Sequence, residues 1–289
     1  MTIVGLGEAL WDMLPEGKKI GGAPANFAFH ASQFGLDGYA ASAVGNDALG
    51  DEILETFDQK GLRYVIERVD YPTGTVQVAL DAKGVPQYDI REGAAWDNIP
   101  WTPAMAALAA DTQAVCFGSL AQRSEGSRQT IRRFLEAMPE GSLKVFDINL
   151  RQHFYTPEVL EESMRLCDIL KINDEELVIV SRMLDYPATD VQDRCRRLIN
   201  DYGLRMLILT CGTCGSYVFG ADGSVSFLPT PKVDVADTVG AGDSFTGSFV
   251  ASLLKGASIP DAHRRAVDVS AYVCTQPGAM PQLPSHLLA

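Results

Sequence analysis

The sequence predicts an α/β fold of three α/β/α layers around a mostly parallel central sheet, one unit over all 289 residues with a small β-sheet appended. Three observations predict it. Short apolar runs alternate with helical patterns, which is the signature of βαβ units whose sheet is covered by helices on both faces. Two segments, Leu10 to Ile20 and Thr75 to Arg91, break that rhythm. Finally, polar residues of possible chemical use cluster just after the apolar runs, where parallel sheets gather ligands.

The elements follow in order. Thr2-Ile3-Val4-Gly5-Leu6-Gly7 reads as the first strand, and Tyr39–Val44, Ala114–Phe117, Lys144–Ile148, Ile169–Ile172 and Arg205–Thr210 read as further buried strands with helices between them. Val76–Leu80 and Val85–Ile90 flank Asp81-Ala82-Lys83-Gly84 as a hairpin. With the first irregular segment, it makes an accessory sheet, lid segments at about residues 10–20 and 74–92. Such a sheet serves as a lid, and its open edges suit a homodimer interface. Phe245, Phe249 and Leu253 stand at helical spacing within Ser244 to Lys255. Pro277 to Ala289 is loop-like, and no internal repeat or linker is present.

Composition excludes several classes. A net charge of −13 opposes a nucleic-acid surface, and 46% apolar content supports a large core. No uninterrupted apolar stretch reaches bilayer length, and the N-terminus reads as a strand rather than a signal peptide, so a cytoplasmic protein with no membrane partner is expected. The six cysteines are expected as reduced thiols. Cys211-Gly-Thr-Cys214 has no second pair or nearby histidine, which opposes a metal or redox centre. His30, His153, His263 and His286 lack ligand spacing and read as packing or surface residues.

The most informative run is Asp237-Thr238-Val239-Gly240-Ala241-Gly242-Asp243. Gly240, Ala241 and Gly242 are expected to form a loop entering a helix N-terminus, where unpaired N–H groups and the helix dipole favour an anion such as a transferring phosphate. Asp243 is then a base beside an anion hole, or else a helix-start residue satisfying amides. There is no G-x-x-x-x-G-K-[ST] loop, Gly5-Leu6-Gly7 has Leu10 where a dinucleotide fingerprint needs its third glycine, and protein-kinase signatures are absent. Asn173 and Glu176, three apart at a helix start, share a face able to hold the water shell of Mg²⁺, and equally form a capping box. Asp12 sits in an otherwise apolar strand, where an acid needs a partner or a ligand.

Gly21-Gly22-Ala23-Pro24-Ala25-Asn26, Gly45-Asn46-Asp47-Ala48-Leu49-Gly50, Asn173-Asp174-Glu175-Glu176 and Asp237 to Asp243, in that order, resemble the motif set of the ribokinase-like (PfkB) sugar kinases. Gly7-Glu8-Ala9-Leu10-Trp11-Asp12, the Arg91 segment and Asp147-Ile148-Asn149-Leu150-Arg151 are most similar to fructokinases. The resemblance implies a ribokinase-like fold and an ATP- and Mg²⁺-dependent kinase. It makes Asp243 the general base and Gly240, Ala241 and Gly242 the anion hole. Asp12, Gly22 and Asn26 become sugar contacts, with Arg91 and Arg151 reaching substrate or phosphate. Asn173, Thr210, Gly212 and Gly215 fall on the nucleotide side, Glu176 holds Mg²⁺ through water, and a monovalent cation such as K⁺ lies near Asp237. Trp96, in Glu92-Gly93-Ala94-Ala95-Trp96, departs from the usual lid pattern and is expected to reshape the sugar pocket. The expected reaction phosphorylates D-fructose, at the 6-hydroxyl. The alternatives are a 2-keto-3-deoxygluconate kinase using Arg91 or Arg151 against the acid, a ribose or nucleoside kinase, a non-catalytic sugar or nucleotide sensor, and a Cys211/Cys214 redox protein.

Overall fold

The computed structural model describes residues 1–14, 17–80, 86–187 and 190–288. The expected turn Asp81 to Gly84 lies outside the described residues, as do Val85 and Ala289. In chain order the elements are β1 (Thr2–Leu6), β2 (Leu10–Leu14), β3 (Gly17–Gly21), α1 (Ala23–Ser32), β4 (Asp37–Gly45), α2 (Ala48–Lys60), β5 (Arg63–Val69), β6 (Gly74–Leu80), β7 (Pro86–Ile90), α3 (Pro103–Ala110) and β8 (Thr112–Gly118). They continue with α4 (Glu125–Ala137), β9 (Leu143–Asp147), α5 (Pro157–Leu166), β10 (Ile169–Asn173), α6 (Asp174–Met183), α7 (Val191–Tyr202), β11 (Met206–Thr210), β12 (Ser216–Gly220), β13 (Val225–Leu228), α8 (Ala241–Leu254), α9 (Ile259–Cys274) and α10 (Ser285–Leu288).

Nine strands form one sheet in the order β13-β12-β11-β10-β9-β8-β1-β4-β5. From β11 to β5 all neighbours are parallel, and β12 and β13 add an antiparallel edge. Successive strand residues face opposite sides, so alternate residues enter two cores. Val4, Leu6, Val115, Phe117, Leu207 and Leu209 join Met105, Phe134, Leu160, Leu177 and Leu198 of α3 to α7 on one face. On the other, Ile3, Ala114, Cys116, Met206 and Ile208 meet Phe27, Phe249, Val250, Ala266 and Val269 of α1, α8 and α9. These are the three expected layers.

The four-stranded sheet, ordered β3-β2-β6-β7, contains both segments that broke the sequence rhythm. Asp12 pairs across it with Lys19. Strand β1 leads through α1 to β4 on one side, while β8 fills its other side after the chain returns. That reversal opens a crevice at the carboxyl ends of β1 and β8, the switch point where ligands settle in such sheets. Among the described residues no helix is long and apolar enough to cross a membrane.

Candidate active site

The site begins at the start of α8. Gly240 is its N-cap with φ +78°, a left-handed conformation that costs glycine little. Ser244 N–H donates to Gly240 O at 2.8 Å, closing the first turn one residue after the glycine. The expected loop is therefore shorter than predicted, because Ala241 and Gly242 already lie in the helix with Asp243. Ala241 N–H reaches back to Thr238 O at 3.3 Å. The amides of Gly242 and Asp243 have no helical acceptor, and no side chain caps the turn, so the positive end of the dipole stays open.

Helix α1 brings Asn26 to this turn. The two helices cross closely at Gly247, where a Cβ would stand 2.7 Å from Phe27 O. Across that contact Asn26 Nδ2 donates to Asp243 Oδ2 at 2.7 Å, while the buried Asn26 Oδ1 has no partner among the described residues. Asp243 is half-buried, and desolvation and then the neighbouring Asp147 charge push its carboxyl up to about 6 against Asn26, Lys171 and Arg151.

Behind Asp243 lies a cavity of about 10 Å³, room for roughly one water, lined in part by Glu8, Ser119, Asp147, Asn149 and Asp243. Glu8 Oε2 and Ser119 Oγ are buried there without partners among the described residues. Burial pushes Glu8 up to about 7, against the backbone N–H groups of Glu8 and Ala23 that face it. Asp12 rises to about 6 by burial, opposed by Arg151 and Lys19. Lys171 Nζ meets Asp147 Oδ1 at 3.1 Å, a pair with side chains 10% and 6% exposed. Despite burial the Lys171 ammonium is held above its ordinary range, by Asp147 first and then Glu176 and Asp243.

The remaining expected residues fall into separate places. Gly22 caps α1 beside Glu8, and a Cβ there would stand 2.3 Å from Glu8 O. Arg151 is exposed, but its charge bears on Glu8, Asp12 and Asp243. Arg91 is not brought to the crevice: its exposed side chain faces Asp89 at 3.4 Å at the end of β7. Asn173 and Glu176 form the capping box, with Asn173 Oδ1 accepting from Glu176 N and Glu176 Oε2 accepting from Asn173 N. Glu176 Oε1 also accepts from Leu150 N at 2.9 Å, so both its oxygens hold backbone. Thr210 ends β11. Gly212 O accepts from Thr230 Oγ1 at 2.6 Å, and Gly215 sits so near β13 that a Cβ would be 2.5 Å from Leu228 O.

Asp237 Oδ1 accepts from Val239 N at 3.0 Å, and Oδ2 from Gly278 N at 3.2 Å and Lys19 Nζ at 3.3 Å. A monovalent cation at this carboxylate would therefore have to compete with Lys19. The C-terminal segment returns to the same loop: Ala279 abuts Gly240, held from behind by His30 Nε2–H donating to Ala279 O at 2.8 Å. Trp96 does not line the cavity. It is buried with the Arg123 guanidinium 4.1 Å from its ring centroid, and Arg123 is locked to Asp97. Cys211 and Cys214 are free thiols, and burial raises Cys211 to about 11, away from thiolate chemistry.

Sequence reasoning missed Lys171, Asp147 and Glu8 as site members. The signal was present in Lys171, a charge inside the apolar run Ile169 to Ile172, which burial makes costly without a partner. Ser119 carried no signal.

Residues 16–286 match the pfkB family carbohydrate kinase description, nearly the whole chain. The chain is 28% identical to the putative sugar kinase PH1459 of Pyrococcus horikoshii, over 88% of this chain and 83% of that protein. It is 29% identical to a fructokinase of Klebsiella pneumoniae, over 96% of this chain and 95% of that one. Its fold follows the crystal structure of fructokinase with bound ATP from Xylella fastidiosa with TM-score 0.87, 24% identity and coverage of 99% and 97%. The chain belongs to the pfkB family of carbohydrate kinases and has the ribokinase-like α/β fold.

Proposed function

We propose that this carbohydrate kinase transfers the γ-phosphoryl group of ATP to a hydroxyl of D-fructose, giving fructose 6-phosphate. The carrying observation is Asp243, hydrogen-bonded by Asn26 in the open first turn of α8 and facing the switch-point crevice. Fructose is supported by likeness to the Klebsiella fructokinase and by a crevice whose sugar-side groups are Asp12, Asn26 and Glu8, a set suited to hydroxyls.

In this reading Asp12, the Gly22 backbone and Asn26 orient the sugar. Asp243 takes the proton of the attacking hydroxyl, late in a loose transfer, so that position matters more than basicity. Gly240, Ala241 and Gly242 present backbone to the charge that develops on the phosphoryl oxygens. Thr210, Gly212 and Gly215 form the nucleotide-side loop. Mg²⁺ arriving with ATP would neutralise phosphate charge; no group of three acidic, histidine or cysteine side chains among the described residues could hold it directly. Its shell of waters is then what Glu176 and Asn173 face.

A 2-keto-3-deoxygluconate reading rests on Arg151, the one expected arginine whose charge reaches the site. ADP release with ATP and Mg²⁺ across fructose, 2-keto-3-deoxygluconate, ribose and nucleosides separates these readings. Fructose turnover lost by on the order of 10² to 10⁴ in Asp243→Asn is expected. Turnover of the keto acid alone discards fructose, and silence on every sugar leaves a non-catalytic sensor.

A further inference from the structure

We propose that Lys171 is a catalytic residue whose ammonium holds the transferring phosphoryl group against the first turn of α8. The inference rests on the kinase reading but not on which sugar is used. Lys171 is fixed by β10, nine-tenths buried, and placed so that a Cβ on Gly242 would be 3.1 Å from its Nζ. Its charge therefore lies over the same open amides that form the anion cradle. An ammonium has three protons to donate. Among the described residues only Asp147 Oδ1 accepts one of them, although Glu176 and Asp243 also surround the group.

A lysine that only neutralised Asp147 would not need this place. Buried pairs contribute little net stability over an apolar pair, so stability gives a weak reason to keep one beside the anion cradle. During transfer the P–O bond to ADP breaks as the P–O bond to the sugar oxygen forms, and the hydroxyl proton passes to Asp243. Lys171 stays protonated throughout. It donates to a phosphoryl oxygen with the protons that have no protein acceptor, and exchanges Asp147 for phosphate as negative charge accumulates.

The test compares Lys171→Met with the double variant Lys171→Met/Asp147→Asn, which removes the ion pair together so that Asp147 is not left charged without its partner. Both should lose roughly 10² to 10³ in kcat, the cost of removing one donor to developing charge, with sugar KM preserved. Both should also keep thermal stabilisation by ADP but lose the added stabilisation by ADP with aluminium fluoride, a mimic of the phosphoryl group in transit. A double variant that folds and retains wild-type kcat, or the full aluminium fluoride response, overturns the assignment. Should the wild type turn over no sugar, the functional reading fails while the aluminium fluoride measurement still decides the role of Lys171.

Discussion

Replacing Glu8 with glutamine should stabilise the protein at alkaline pH and leave it nearly unchanged in acid. Glu8 is 5% exposed, with Oε2 unpartnered and its carboxyl raised from 4.5 to about 7 by burial. Between those values the unfolded chain has released the proton and the folded chain retains it. Stability therefore falls as pH rises through that window. At 1.36 kcal/mol per pKa unit the full shift is worth roughly 3 kcal/mol. An opposing effect exists, since a charged carboxylate beside the α1 N-terminus gains about 0.3–1 kcal/mol from the dipole. Desolvation is the larger, so the neutral form wins. Glutamine copies the shape of the protonated acid and does not titrate. Urea unfolding at pH 5 and pH 8 should show the gap between variant and wild type widening by about 2–3 kcal/mol. Parallel curves, or a variant less stable at pH 8, would show that ionised Glu8 anchors α1 and would refute the reasoning.

Three other outcomes are expected. A base must be ionised to accept a proton, so kcat should decline as pH drops below about 6; Asn26→Ala, which removes the donor to Asp243, should move that acidic limb upward in a pH–rate profile. An unmoved limb would mean that Asp243 does not set it. Gly240→Ala meets both a φ of +78° and Ala279 atoms within 2.8 Å, whereas Gly256→Ala has φ +86° and open space. Thermal melts should show the left-handed penalty of about 1–2 kcal/mol at both sites and a further loss only at Gly240; equal losses would contradict the close approach of the C-terminal segment. Lys19→Met breaks an ion pair with side chains 39% and 18% exposed, worth at most about 1 kcal/mol. Its turnover should gain a dependence on K⁺ relative to tetramethylammonium that the wild type lacks, and equal responses would remove Lys19 as a competitor at Asp237.

The interior strands were legible because each is a short apolar run, as in Ile169 to Ile172. Strand β5 was not, because Arg63, Glu67 and Arg68 interrupt it, as an edge strand permits. Strands β12 and β13 follow the loop at Gly212 to Gly215 without a helix between them, so the βαβ rhythm does not announce them. In the site, contiguous residues from Asp237 to Asp243 were readable as a unit. The bond from Asn26 to Asp243 spans 217 positions and depends on helices crossing at Gly247, which spacing alone does not encode. Asn173 and Glu176 were readable as a capping box or as a face for the waters of Mg²⁺, and the capping box is what their hydrogen bonds display.

The arrangement of charge around Asp243 supports its proposed role as the base. Asp147, Glu176 and Asp243 converge around one buried ammonium, Lys171, while Glu8 stands beside Asp243 and Arg151 acts from the rim. So many carboxylates cannot all be ionised at low cost in a desolvated crevice, and Glu8, Glu176 and Asp243 are each displaced upward. Asp243 differs from the other two in having Asn26, Lys171 and Arg151 all acting to lower it. These contacts oppose the effect of burial on Asp243. An anionic phosphoryl group approaching this cluster meets repulsion from Asp147 and Asp243 unless Lys171 and the α8 amides face it first. In the proposed mechanism Lys171 would both face the anion and lower the Asp243 carboxyl, so removing Lys171 should weaken both functions together.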